Sequence, residues 1–211
     1  VRCLLISDVR SAIWSAMLWI SCESASAVKP AEEAQGDNFV EGNIYLTDSD
    51  LKAVDITQGG KYRVAIRPPG IQGGPHLHQA AAVAAQNHER LLGFYGVPRG
   101  HLPFRTADGD YTPTLGRTKK AEKYSPADID ENPTLAEMTS AALTVLEKRE
   151  KGFWLMVEAG DVDWANHDNN IDASIGATLS GDAAVKIITD WVEQHSNWND
   201  TVLIVTADHG H

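Results

Sequence analysis

The sequence predicts an α/β protein with a mostly parallel central sheet flanked by helices, and three observations predict it. Two continuous apolar runs, "FWLMVEA" at 153–159 and "TVLIVTA" at 201–207, have the composition of strands buried on both faces of a parallel sheet. A helix-period segment lies between them, and a strand-helix-strand crossover places its two strands parallel and adjacent or nearly so. Upstream, strand-like and helix-like pieces already alternate from residue 62 to residue 96.

Taken in order, the chain opens with Arg2 and Arg10 before the mostly apolar "SAIWSAMLWIS" of residues 11–21, and "ASA" at 25–27 has the small-x-small form of a cleavage site. Residues 1–27 therefore read as a signal-like segment, with a buried helix or a misread terminus as alternatives, and residues 28–211 as part of one α/β domain. The apolar run is too short to span a bilayer. A polar linker, "KPAEEAQGDN", leads to "LTDSDLKAVD", a capped amphipathic helix start. "YRVAIRP" at 62–68 and "RLLGFYG" at 90–96 read as strands, and "PHLHQAAAVAAQNHE" at 75–89 reads as the helix between them. From 97 to 131, proline, glycine and charge predict a long surface excursion, with Asp108-Gly109-Asp110 a surface turn.

Asn132 and Pro133 then read as the cap and first turn of a helix, which Leu135, Met138, Ala142, Val145 and Leu146 carry to about Glu150. After the first apolar run, Ile171, Ile175, Leu179, Ala184, Ile188 and Trp191 mark the inner face of a second helix, bent near Ser180-Gly181.

Composition narrows the function. With 18 basic and 29 acidic residues the formal net charge is −11, and no basic cluster or aromatic-basic stripe interrupts it, which excludes a broad nucleic-acid surface and suits a cation site. Cys3 and Cys22 could form one bridge, but two cysteines make neither a disulfide framework nor a metal site.

The chemistry gathers behind the two apolar runs. Strands of a parallel sheet end on one edge, where ligands of open α/β folds collect, so Glu158, Asp163, His167, Asp208, His209 and His211 are expected to converge. Carboxylates held that close repel one another, and bound cations relieve the repulsion. Imidazole with carboxylate suits Zn2+, and an all-oxygen set suits Mg2+. Asp161, Asn166, Asp168, Asn169 and Asn170 read as solvated loop or capping residues.

"GFWLMVEAGDVDWANH" joined to "TVLIVTADHGH", with "NPTLAEMTSAALTVL" before them, resembles the alkaline phosphatase family, specifically over about 130–211 and more loosely from about residue 40. The resemblance implies an alkaline phosphatase-like fold, incomplete in this chain. By position, Asp163 and His167 resemble ligands of a first zinc, Asp208 and His209 ligands of a second, and Glu158 a ligand of the neighbouring magnesium. His211 resembles a histidine that orients a zinc-bound aspartate. Trp164 occupies a position near the substrate phosphate. Hydrolysis of phosphate monoesters through a phosphoserine, release of inorganic phosphate, an alkaline optimum, a periplasmic or secreted location and a homodimer are the further implications.

The chain also departs from the pattern. The family draws its nucleophile from an Asp-Ser-Ala segment and a bridging aspartate from Gly-Asp-Gly. Here Asp48-Ser49 is followed by Asp50, Leu51 and Lys52, so Ser49 is not expected to be the nucleophile and a nucleophilic serine is absent. A third zinc-binding histidine lies beyond the "DHGH" motif in the family; His76 and His78 read as exposed or capping residues rather than substitutes. The expectation is a piece of a longer phosphatase that is inactive alone. A non-catalytic metal-binding protein, or a related phosphodiesterase, sulfatase or phosphomutase, is the alternative, and the Glu-Asp-His spacing of "VEAGDVDWANH" argues against the last three.

Overall fold

A computed structural model describes residues 2–5, 48–97, 102–103, 105–112, 114–117 and 123–210. Residues 11–27, Cys22 and His211 therefore lie outside the described residues. The chain divides into two compact units, one of residues 1–103 and 124–157 and the other of residues 104–123 and 158–211.

The first unit is α/β. Its three-stranded sheet has the order β1 (Arg2–Leu5), β3 (Arg90–Tyr95), β2 (Tyr62–Ile66). β2 runs parallel to β3, with Val64 opposite Leu92, and β1 runs antiparallel, with Cys3 opposite Phe94. The parallel pairing follows from the crossover helix α2 (Gly73–Gln86), as the alternation of patterns predicts. Among the described residues the sheet therefore has one parallel and one antiparallel pairing.

β3 shows why "RLLGFY" is apolar throughout. Leu91 and Tyr95 enter a core with Leu77, Ala81 and Ala84 of α2 and with Met138, Ala142 and Val145 of α4 (Leu135–Leu146). Leu92 and Phe94 face the other way, against Leu51 of α1 (Asp48–Val54), Val64 and Ile66. Gly93 lets α2 come close, because a Cβ there would stand 3.2 Å from Leu77 Cδ1. At about 25 cal/mol per Å2 of apolar surface buried, a strand covered on both faces stabilises the unit from two sides.

A buried ionic clamp ties the excursion back to the sheet. Arg67, 1% exposed, sends Nη1 to Asp128 Oδ1 at 3.0 Å and Nε to Glu131 Oε2 at 2.8 Å. Nη2 also contacts Glu131 Oε2 at 2.8 Å, an ion pair rather than a well-aligned hydrogen bond. Glu131 Oε1 accepts the Gly70 amide, and Asp128 belongs to the capping box of the short helix α3 (Pro126–Asp130). The excursion therefore has buried anchors. His76 and His78 are half-buried, not exposed caps, and His76 Nδ1 lies 2.7 Å from the Tyr95 hydroxyl.

Three further expectations are corrected. The cap of α4 is Thr134, whose hydroxyl accepts from the Glu137 amide while Glu137 bonds back to the Thr134 amide. Asn132 is occupied elsewhere, accepting from the Gly96 amide and donating to the Asp128 carbonyl. The apolar runs at 153–159 and 201–207 enter no ladder among the described residues. In the first, Phe153 and Leu155 pack on the core while Trp154 and Met156 are exposed; in the second, Val202, Ile204 and Val205 are exposed. A strand exists only against a neighbour, and neither run has one among the described residues.

The second unit is built on α5 (Asp161–His167) and α6 (Ile171–His195). α6 is continuous through Ser180-Gly181. Its buried face is Ala173, Gly176, Ala177, Ala184 and Val192, whereas Ile171, Ile175 and Leu179 are exposed. The small side chains are inside because the chain comes close: a Cβ on Gly176 would overlap the Arg105 carbonyl. Among the described residues no helix is long and apolar enough to cross a membrane.

Candidate metal centre

Helix α5 arises from seven residues of "DVDWANH" preceded by Gly160. Acidic Asp161 and Asp163 in its first turn and His167 in its last suit the helix dipole at both ends. Asp161 is buried rather than solvated, against expectation. Asp163 and His167 are four residues apart and so share a face. Asn169, with φ +51, turns the chain, and Asn170 caps α6 by accepting from the Ala173 amide.

The histidine predicted from the far motif arrives at the same carboxylate. Asp163 Oδ1 stands 3.4 Å from His167 Nε2 and 3.2 Å from His209 Nε2, and the two imidazole centroids are 6.4 Å apart. Zinc bonds of about 2.0 Å set ligand atoms on a tetrahedron with edges of about 3.3 Å, so these separations and this N/O donor set fit zinc chemistry. The set is partial. Among the described residues no group of three or more His, Cys, Asp or Glu side chains closes round a common point.

The other predicted ligands stand apart from that contact. Asp208 is 93% exposed; its Oδ1 accepts its neighbour's amide and lies 4.0 Å from His209 Nε2. Glu158 is exposed on the segment leading into α5 and does not complete a cage. Trp164 is exposed next to Asp163. Ser49 lies in the first turn of α1, as the capped-helix reading expects, and Asp108-Gly109-Asp110 is an exposed turn with Gly109 at φ +81.

What the sequence reading missed is a second tier around α5. Asp172 receives the amides of Ala107 and Thr114, Asn170 exchanges hydrogen bonds with Thr114, and the Arg117 amide donates to the Asp168 carbonyl at 2.6 Å. The loop of residues 105–117 is thereby fastened beside the candidate ligands. Only the capping asparagine had a local signal.

A family model described as alkaline phosphatase matches residues 83–211, which contain all of these ligands. The chain belongs to the alkaline phosphatase family. It is 37% identical over 110 residues to the membrane-bound alkaline phosphatase of Bombyx mori, covering 52% of this chain and 19% of that protein. It is 34% identical over 129 residues to the alkaline phosphatase of Escherichia coli (strain K12), covering 60% and 26%. Streptomycin-6-phosphate phosphatase of Streptomyces griseus is 41% identical over 86 residues, covering 37% and 18%. The chain spans about a fifth to a quarter of the length of these alkaline phosphatase-family relatives.

Proposed function

We propose that this chain carries metal-ligand segments of a phosphatase that hydrolyses phosphate monoesters. The observation supporting this most directly is Asp163 Oδ1 between His167 Nε2 and His209 Nε2, two histidines from different motifs on one carboxylate oxygen. In this reading Asp163 and His167 hold one zinc, Asp208 and His209 a second, and Glu158 a magnesium. His211 orients an aspartate ligand, and Trp164 packs beside the phosphate with one N–H to donate. Bound metal supplies Lewis acidity that neutralises charge on the attacking and leaving oxygens of an in-line displacement.

The chain's own contribution is to fix those donors. α5 presents Asp163 and His167 on one face, and the loop tethered through Asp172 braces the helix's end. The same reading places the nucleophilic serine outside the segments described, and an exported, phosphate-releasing enzyme, assembled as a dimer, completes it. The test is zinc and magnesium content of the purified 211-residue chain, with p-nitrophenyl phosphate hydrolysis at alkaline pH on the same sample. Metal without turnover supports a partial site lacking its nucleophile; neither metal nor turnover in chain or full-length protein defeats the reading.

A further inference from the structure

We infer that Asn170 is a positioning residue for the metal centre, locking the last turn of α5 so that His167 is held toward Asp163; the inference rests on the metal-ligand reading above. α5 has seven residues, too few for a helix to be stable alone, so its end is fastened from outside. His167 is its last residue, and the winding of that turn fixes where the ring starts.

Asn170 closes the turn with its backbone. With Asn169 in the left-handed region at φ +51, the Asn170 amide donates to the Ala165 carbonyl and the Asn169 amide to the Asn166 carbonyl, both at 2.9 Å, the paired bonds of a Schellman motif. The side chain, on a residue 8% exposed, then works in two directions. Its Oδ1 accepts from the Ala173 amide at 3.0 Å and caps α6, while its Nδ2 donates to the Thr114 carbonyl at 2.9 Å. Thr114 is itself held through its amide, which donates to Asp172 Oδ2 at 3.1 Å. The end of α5, the start of α6 and the 105–117 loop are thus joined at one residue, just after a candidate ligand.

Side-chain chemistry separates this role from simple capping. Serine, aspartate and asparagine all cap helices, but of the three only asparagine sets an amide donor beside the capping oxygen. A cap alone therefore tolerates serine or aspartate, whereas the joint needs the donor to Thr114.

The experiment measures zinc affinity, by competition with a chelator, for the full-length protein and its Asn170→Ser and Asn170→Asp variants. Turnover of p-nitrophenyl phosphate across a zinc titration and the urea midpoint of the metal-free protein are read on the same samples. Asn170→Ser is expected to weaken zinc binding about tenfold, as loss of a group that orients a ligand does, with kcat returning to within about twofold at saturating zinc and the midpoint close to that of the unaltered protein. Asn170→Asp, which turns a second acceptor toward the Thr114 carbonyl, weakens binding at least as much. Zinc affinity within about twofold of the unaltered protein in Asn170→Ser, or a collapsed midpoint in that variant, overturns the assignment and leaves the phosphatase reading intact. Neither zinc binding nor turnover by the unaltered protein overturns both.

Discussion

Asp163 and His209 meet at 3.2 Å although one sits in the first turn of α5 and the other near the end of the described chain. Nothing local brings them together. Both side chains remain partly exposed, Asp163 39% and His209 50%, so the direct ion pair is worth little by itself, and its placement matters more for what the two atoms could share.

In the reading proposed above Asp163 is a zinc ligand, so Asp163→Ala removes a ligand oxygen together with its contacts to His167 and His209. Zinc bound by the full-length protein is expected to fall, and phosphatase turnover to drop by about 100-fold or more. Metal analysis beside steady-state kinetics checks it. Unchanged zinc content would show that the carboxylate only pairs with imidazole.

Arg67→Ala should act on stability alone. It removes the guanidinium from between the Asp128 and Glu131 carboxylates, 0% and 1% exposed at their side chains. Breaking such a buried pair costs about 3–5 kcal/mol. A urea melt followed by tryptophan fluorescence reads the loss. A change below about 1 kcal/mol would mean that water reaches the clamp.

Burial lowers the pKa of His76 from its ordinary 6.5, and the Tyr95 hydroxyl it meets is pushed above the usual phenolic range by its own burial. Between the lowered value and 6.5 the unfolded chain binds more protons than the folded one, so stability rises with pH through that window. The contribution is complete above pH 6.5 and is lost as pH falls toward the folded value. His76→Gln should flatten this part of the profile. Urea midpoints at pH 7.5, 6.5 and 5.5 for both proteins test it, and identical slopes would contradict it.

Local periodicity suffices for α2, β2 and β3, because the apolar residues that define the pattern are those that reach the core, as Leu91 and Leu92 do on opposite faces. Asp163 and His167 are legible for the same reason, helical spacing. The run at 201–207 has strand composition, yet composition supplies no neighbour to pair with. Asn132 and Pro133 resemble a helix start, and Thr134 with Glu137 forms the cap because its reciprocal bonds fit. The clamp at Arg67 leaves no linear trace, since its partners come from a loop whose path only tertiary structure sets.

The inner face of α6 carries the same lesson and the last prediction. Periodicity selects bulky Ile171, Ile175 and Leu179, but Gly176 faces inward because the Arg105 carbonyl occupies the place of its Cβ. Gly176→Ala would favour an isolated helix by about 1 kcal/mol. Here the added methyl meets a backbone carbonyl that cannot rotate away, and overpacking of this kind costs about 1–3 kcal/mol. The helix should persist while the 105–117 loop is displaced, which weakens the bonds from Ala107 and Thr114 to Asp172. Limited trypsin digestion reads this directly, since Arg105 and Arg117 bracket the loop: cleavage there should accelerate in the variant with circular dichroism unchanged. An unchanged cleavage rate would show that the hydrogen bonds to Asp168, Asn170 and Asp172 hold the loop without the close approach at Gly176.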